Sequence, residues 1–492
     1  MTMKNNAGTG RMLGWTLAIV ALVRLLTMGL YPLNDTTEAR YAEVARKMAE
    51  LGDWITPWYD YGVPFWAKPP LTTWLTAASI KLLGANEFAT RLPYFLLAVV
   101  IAWLVWGWVG RRSRREALLA VAVLSGTMLY FVASAAVMTD LGLVLGTTLA
   151  MRGFWAGFEG ADSPRPKEQW LLFVGLGLGL LAKGPIAVVL SIMPIMMWAV
   201  VTGNIANAWK RLPWIKGGLL ALVIAVPWYW LAEIRTPGFL DYFFIGEHWK
   251  RFTVTGWTGD KYGSAHANAR GTIWLYAVAA CLPWPVLLPL LAIGRKAARN
   301  KAASSLSVAS PDPAKRQWRL YLLAWAVAPC LFFTLAGNIL WTYVLPALPA
   351  LAMLAAGWLA GDARVRRIDG AVSAGVVLMA LLIGSYLVNE QVSNNWKTAK
   401  MAVLEYRVRN TDNRPLLFVG DLPNSAAFYS QGKAKLVASD TALARRLDSV
   451  AEGRLFVAFN PAQLRVLPAE LKSRLHFEAQ SGPYTLYSSV PP

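Results

Sequence analysis

LNDTTEARYAEVARKMAELGDWITPWYDYGVPFWAKPP, residues 33–70, is a charged, tryptophan-rich island between long apolar runs. It carries about a dozen ionisable groups, and an Asp, Lys or Arg at the centre of a spanning helix costs roughly 2.5 to 3.5 kcal/mol on the insertion scale. That density excludes the island from hydrocarbon and places it between two membrane spans. What flanks it then decides the fold class.

Before the island, residues 12–31, MLGWTLAIVALVRLLTMGLY, are long enough to cross a core of about 30 Å at about 1.5 Å per residue. No small-residue cleavage site follows and the run exceeds a signal h-region, so it reads as an uncleaved first span. After the island the next span is 93–110, ending in Arg111, Arg112, Arg114 and Arg115. Further apolar runs lie at 116–137, 141–158, 169–187, 188–202, 217–232, 272–292, 318–337, 341–360 and 370–388. The expectation is a polytopic α-helical membrane protein of about eleven transmembrane helices.

Composition agrees. The 492 residues are 56% hydrophobic and 15% charged, with a mean hydropathy of +0.40, whereas a soluble globular protein carries about a quarter charged residues. The formal net charge of +20 invites a nucleic-acid reading. The Lys and Arg, however, fall in short clusters between apolar runs, as topology signals do, so the expected surroundings are membrane lipids and no nucleic acid. Cys281 and Cys330 lie inside apolar runs as small hydrophobes and leave the redox compartment unread.

With the N-terminus cytoplasmic, the basic connections fall on one side. They carry Arg111 to Arg115, then Arg165 and Lys167, then Lys210, Arg211 and Lys216, then Arg295, Lys296, Arg299, Lys301, Lys315 and Arg316, and finally Arg364, Arg366 and Arg367. The remaining connections, at 33–92, 138–140, 183–185, 233–271 and 338–340, fall on the periplasmic side. The two long ones, 33–92 and 233–271, are the expected functional surfaces. After residue 388 the pattern changes: 415–419, 455–459 and 484–488 read as strands, with helical spacing at 424–431, 440–449 and 461–475 between them. This predicts a transmembrane domain over 1–388 and a small periplasmic α/β domain over 389–492, with Asp421 structural or regulatory.

Within the island, Thr37, Tyr41, Val44, Met48 and Leu51 recur at helical spacing, opposite Arg40, Glu43, Arg46, Lys47 and Glu50. The pattern predicts an amphipathic helix lying flat on the membrane surface. Trp54, Trp58, Trp66 and Trp74 fit an interfacial aromatic belt. Lys68-Pro69-Pro70 stops any helix there. Asp35, with Glu38 three residues on, reads as a capping box for that helix. A carboxylate at the mouth of a surface helix with cations nearby also suits a sugar transfer whose leaving group is a phosphate, and one residue can serve both roles.

The segment LNDTTEARYAEVARKM, with GDWITPWYDYGVPFWAKPPL and NEFATRLP after it, resembles the first periplasmic loop of the lipid A aminoarabinose transferase family. These are GT-C membrane glycosyltransferases related to the protein O-mannosyltransferases. The resemblance continues through MTDLGL (138–143), LAKGP (181–185), EHWKRF (247–252) and ILWTYVLPALPAL (339–351). It implies a GT-C fold and an inverting transfer of a sugar from a polyprenyl-phosphate donor to a lipid acceptor such as lipid A, at the periplasmic face of the bacterial inner membrane. The family's adjacent Asp-Glu pair corresponds to Thr37-Glu38 here, so the catalytic carboxylate is assigned to Asp35 in preference to Glu38. Ala67 stands where relatives often carry Glu before the lysine, which leaves the identity of the sugar open.

In such a transfer a carboxylate accepts the acceptor's proton, while cations stabilise the anionic leaving group. Matching motifs imply Arg40, Tyr41, Lys68 and Tyr343 at the donor phosphate, with Arg251 and Arg270 of the second long loop as further candidates. Asp140 is a second possible carboxylate or else a helix cap. His248 is a possible assistant or an interfacial histidine, and Lys183 either reaches phosphate or snorkels to the surface. No cofactor and no metal are expected, since the chain's three His have no ligand spacing. O-antigen or protein acceptors are the alternative within this chemistry. A secondary transporter is the alternative outside it, against which stands the lack of related halves.

Overall fold

The computed structural model describes residues 2–158, 166–263, 266–302, 312–389, 396–410, 414–448 and 454–490. Arg165, the side chains of Lys296, Arg299 and Lys301, and residues 390–395 beside the expected domain boundary lie outside the described residues. Helix occupies every run expected to span. In chain order the helices are Thr2–Thr27, Glu87–Val109, Arg114–Ser125 with Met128–Ala133, Asp140–Ala156, Pro166–Lys183, Ile186–Val201, Trp214–Arg235, Thr272–Ala280 with Trp284–Ala302, Pro313–Phe333, Trp341–Ala347 continuing as Leu348–Ala360, and Val365–Val388. By length and composition five of these qualify as crossings, or six if the pair Thr272–Ala280 and Trp284–Arg295, bent by 68°, is one span. Others are short: Asp140–Ala156 has 17 residues and Ile186–Val201 has 16.

Local chemistry starts these helices where they start. Asn86 accepts the Ala89 amide at 2.8 Å and Ser113 that of Glu116 at 3.3 Å, each satisfying an orphan donor of the first turn. Asp140–Ala156 and Pro166–Lys183 pack antiparallel with their backbones in contact. A Cβ on Gly146 would lie 2.7 Å from the Gly175 carbonyl oxygen, and one on Gly153 2.1 Å from the Leu172 amide nitrogen. Small residues permit this approach. Its consequence is functional: the start of one helix is brought beside the end of the other, so Asp140 meets Lys183 at 2.7 Å.

The first-loop helix forms over Thr37–Leu51, but its surroundings differ from expectation. Glu43, Arg46 and Lys47, on the face expected to be solvated, are 2%, 5% and 3% exposed. Arg46 forks onto Glu43 at 2.6 and 2.8 Å and reaches Glu50 at 2.8 Å. Lys47 donates to the Tyr59 carbonyl at 2.7 Å and to Asp60 at 3.0 Å. The two-stranded ribbon Trp58–Asp60 and Val63–Pro64, together with helix Asn424–Tyr429, packs around this helix. It is therefore sandwiched inside protein rather than laid on a lipid surface. The periodicity identified its faces, but burial came from segments that no local pattern could reveal. The loop tryptophans turn inward in the same way: Trp74 Nε1 donates to the Trp54 carbonyl, Trp58 Nε1 to Asp53 and Trp66 Nε1 to Thr236.

The capping box does not form. The helix N-cap is Thr36, without a side-chain bond. Asp35 instead accepts the Ser425 amide at 3.0 Å and the Ser425 hydroxyl. Those donors belong to a five-stranded sheet unit ordered Lys435–Val437, Leu416–Val419, Phe456–Phe459, Tyr484–Ser488, His476–Ser481. Its first three strands pair in parallel and its last two antiparallel. Three of the strands were expected; Lys435–Val437 is too short for a pattern, and His476–Ser481 is only partly buried. Leu416 and Phe418 pack on one face and Leu417 and Val419 on the other, as a sheet covered on both sides requires. The unit holds the first loop through Tyr429, whose hydroxyl accepts from the Leu33 amide at 2.8 Å and donates to Glu87 at 2.9 Å. Lys400 reaches Glu87 at 2.5 Å.

Burial pushes the Asp35 carboxyl up to about 6, against the Ser425 hydrogen bonds that pull it down. A carboxyl raised above its unfolded value near 3.8 binds more protons in the folded state, so the contact gains stability as pH falls from 7 toward 4 and loses it as pH rises through about 6. Asp35→Asn is expected to flatten this pH dependence, read as protease protection of the C-terminal unit between about pH 4 and 7. An unchanged slope would remove Asp35 as its source.

Candidate active site

A cavity of about 660 Å³ opens where the first loop, the Asp140–Lys183 corner, the second long loop and the Trp341 turn meet. Each contributor arrives for a local reason. The first turn of helix Thr37–Leu51 presents Thr37, Arg40 and Tyr41, and the Pro69-Pro70 stop fixes the Ala67-Lys68 segment just before helix Leu71–Leu83. The glycine-packed helix pair supplies Asp140 and Lys183. Gly184, with φ +81°, lets the chain turn directly after Lys183; a Cβ there would lie 2.6 Å from the Phe243 ring and 3.0 Å from His248 Nε2. Asn338 donates to the carbonyls of Arg251 at 2.6 Å and Val254 at 3.0 Å, tying the second loop to the Trp341 turn.

Charge in the cavity is organised around Glu247, which is 6% exposed. It accepts from Lys68 at 2.8 Å, from Arg251 at 3.2 Å through both oxygens and from the Tyr242 hydroxyl at 3.3 Å. Burial alone would raise its carboxyl, but Lys68 and Arg251 outweigh it and hold the group below the ordinary range. Arg251 also meets Asp260 at 3.0 Å. Lys183 Nζ, besides Asp140, lies 4.9 Å from the Tyr343 ring centroid, within cation–π range. Arg40 donates to the Tyr262 carbonyl, and its Nε is buried with no hydrogen-bond partner among the described residues. A guanidinium held at one corner with an orphaned donor is suited to an anion entering the cavity.

Eight of the residues singled out from sequence line this one cavity: Arg40, Tyr41, Lys68, Asp140, Lys183, His248, Arg251 and Tyr343. Asp35, Glu38 and Arg270 do not. Asp35 is held by Ser425. Glu38 is gripped by Arg91 at 2.8 Å through both oxygens. Arg270 is exposed. Thr37, at the position of the family's Asp, does line the cavity, so here a hydroxyl stands where that carboxylate would be. His248 has Nδ1 2.8 Å from the Phe243 carbonyl and Nε2 3.2 Å from that of Lys183, and the neutral ring donates its single N–H to one of these two carbonyls.

Glu247, Asp260, Tyr262 and His266 also line the cavity and were not singled out. Tyr262 joins the two loops, accepting the Trp66 amide at 3.0 Å and donating to the Pro64 carbonyl at 2.7 Å. The available signal was a charged, tyrosine-bearing GDKYG turn in a long loop. Its partners lie nearly two hundred residues away, beyond any local reading. Among the described residues no group of three or more His, Cys, Asp or Glu is arranged to hold a metal.

Residues 18–243 match the family model described as dolichyl-phosphate-mannose-protein mannosyltransferase. The undecaprenyl phosphate-alpha-4-amino-4-deoxy-L-arabinose arabinosyl transferase of Edwardsiella ictaluri is 32% identical over 378 residues, 73% of this chain and 62% of that protein. Its namesake from Erwinia tasmaniensis is 32% identical over 350 residues, 68% of this chain and 57% of that protein. The chain thus spans about six-tenths of the length of these curated relatives. Two crystal structures of ArnT from Cupriavidus metallidurans superpose on 97% of this chain and 98% of theirs. The one bound to undecaprenyl phosphate gives a TM-score of 0.73 at 21% identity, and the apo one 0.75 at 20%. Residues 18–243 are therefore similar to the dolichyl-phosphate-mannose-protein mannosyltransferases, and the chain as a whole is a multi-pass membrane protein similar in sequence to the aminoarabinose transferases and sharing the GT-C fold of the ArnT structures.

Proposed function

We propose that the protein is an inverting glycosyltransferase that moves a sugar from a polyprenyl-phosphate donor to a lipid acceptor such as lipid A. The observation that carries this reading is the convergence of Arg40, Lys68, Arg251 and Lys183 with Asp140 in one cavity. The proposed location is the bacterial inner membrane, with the N-terminus cytoplasmic and the cavity and C-terminal α/β unit periplasmic. The division into a membrane domain over 1–388 and a periplasmic domain over 389–492 belongs to the same proposal.

In this reading the donor phosphate lies among Arg40, Lys68 and Arg251, with Tyr41 and Tyr343 beside it. The acceptor oxygen attacks the anomeric carbon from the side opposite the phosphate. The bond from that carbon to the phosphate oxygen breaks with its electron pair going to phosphate, and the acceptor's proton goes to a carboxylate. Asp140 is assigned as that general base, because its one cation, Lys183, is shared with no other cavity carboxylate, whereas Glu247 is paired with both Lys68 and Arg251 and Asp260 shares Arg251 with it. The leaving monoester gains negative charge, and preorganised cations stabilise it where that charge develops. Asp35 and Glu38 then act behind the site, holding the loop that presents Arg40.

Lys68→Ala tests the phosphate assignment. A charge-assisted bond is worth about 1.5–3 kcal/mol, so binding of undecaprenyl phosphate to the purified protein in proteoliposomes is expected to weaken about ten- to a hundredfold. Unchanged affinity would take Lys68 out of the phosphate site.

A further inference from the structure

We propose that the sugar accepted by this cavity carries no cationic group, so that the donor is a neutral sugar on a polyprenyl phosphodiester rather than an amino sugar. The inference rests on the transferase reading above and specifies its substrate class. Four cationic side chains line the cavity, Arg40, Lys68, Lys183 and Arg251, against three carboxylates, Asp140, Glu247 and Asp260, a surplus of one positive charge. Each carboxylate is already in an ion pair: Asp140 with Lys183 at 2.7 Å, Glu247 with Lys68 at 2.8 Å and Arg251 at 3.2 Å, and Asp260 with Arg251 at 3.0 Å. His248 and His266 do not alter the sum. Burial and Lys68 lower the first, and partial burial and Arg251 lower the second, which favours the uncharged ring at each.

A neutral sugar on a polyprenyl phosphodiester carries one negative charge, which matches the surplus. An amino sugar makes the same donor zwitterionic, leaves the surplus unmatched and brings a fifth cation that must compete with Lys68, Lys183 and Arg251 for carboxylates. Ion pairs can exchange partners when a ligand enters, but exchange does not change the total. A partly desolvated cation without a carboxylate of its own is strongly disfavoured. The wall next to Lys68 is the buried methyl of Ala67, and uncharged polar groups of the lining, Thr37, Tyr41, Thr139 and Tyr343 among them, suit sugar hydroxyls.

The test uses the full chain in proteoliposomes and a matched pair of ligands, undecaprenyl phosphate arabinose and its 4-amino-4-deoxy analogue, which differ in one hydroxyl replaced by one ammonium. Each competes at pH 7 against labelled undecaprenyl phosphate. The expected result is that the arabinose compound binds at least about tenfold more tightly than the amino analogue. Equal or tighter binding of the amino analogue would overturn the inference and leave the transferase reading standing. If labelled undecaprenyl phosphate itself does not bind, the transferase reading falls and takes the inference with it.

Discussion

Asp140→Asn is expected to lower sugar transfer by about 10²–10⁴-fold, the usual contribution of a positioned general base, while leaving the affinity for undecaprenyl phosphate within a few-fold of the parent. The amide keeps the shape of the carboxylate and a hydrogen-bonding oxygen but cannot take up the acceptor's proton. Initial rates with lipid-linked sugar at saturating donor, beside equilibrium binding of undecaprenyl phosphate, separate these two effects. Asp35→Asn is the comparison that matters. Its side chain is spent on Ser425 rather than on the cavity, so its effect should appear in the attachment of the C-terminal unit and only modestly in rate. The opposite pattern, with Asp35→Asn inactive and Asp140→Asn active, would return the base to the residue preferred from sequence and require the loop to move Asp35 into the cavity during the reaction.

The second large effect is expected at Arg91, and it falls on stability. This guanidinium is fully buried and every one of its nitrogens is engaged. Nε and Nη2 hold the two oxygens of Glu38 at 2.8 Å, while Nη1 and Nη2 donate to the carbonyls of Met28, Tyr31 and Pro32 at 2.8, 2.7 and 2.9 Å. Its ring-face neighbour is Tyr31, with the centroid 3.8 Å away. Arg91→Ala strands a carboxylate and three carbonyls in a site built to pair them, and breaking a buried pair by removing one partner costs about 3–5 kcal/mol. A lower thermal midpoint in detergent and poor accumulation in membranes are the expected readouts. Because Glu38 lies in the first turn of the helix that presents Arg40 and Tyr41, any Arg91→Ala protein that does fold should also bind donor more weakly. A variant with an unchanged midpoint would show that this network contributes little to stability.

Arg91 shows where the sequence was legible and where it was not. It stands in NEFATRLP, a motif recognisable by resemblance, yet nothing local says that it closes on Glu38, more than fifty positions earlier. The same division runs through the site. Lys68, Arg40, Tyr343 and Lys183 could be picked out because they stand in motifs that resemble those of the aminoarabinose transferases. Glu247 could not be weighed, because its importance consists of Lys68 and Arg251 meeting on it. Asp35 is favoured by its neighbours in sequence, a cap position and a nearby Glu, but its carboxylate is held by Ser425, nearly four hundred residues further on.

By itself the sequence pointed to a chain that enters a membrane many times, with a charged island at 33–70 too polar for the hydrocarbon, and to a strand-bearing unit after residue 388. Those conclusions need only the cost of burying charge and the two periodicities of helix and strand, both local properties of the chain. Tertiary structure alone decided which carboxylates line the cavity, that the polar face of the first-loop helix is covered, and that cations outnumber carboxylates among the lining residues by one. Such facts depend on contacts between residues distant in sequence. Hydrogen bonds and ion pairs act over about 3 Å in space, however far apart along the chain their partners lie.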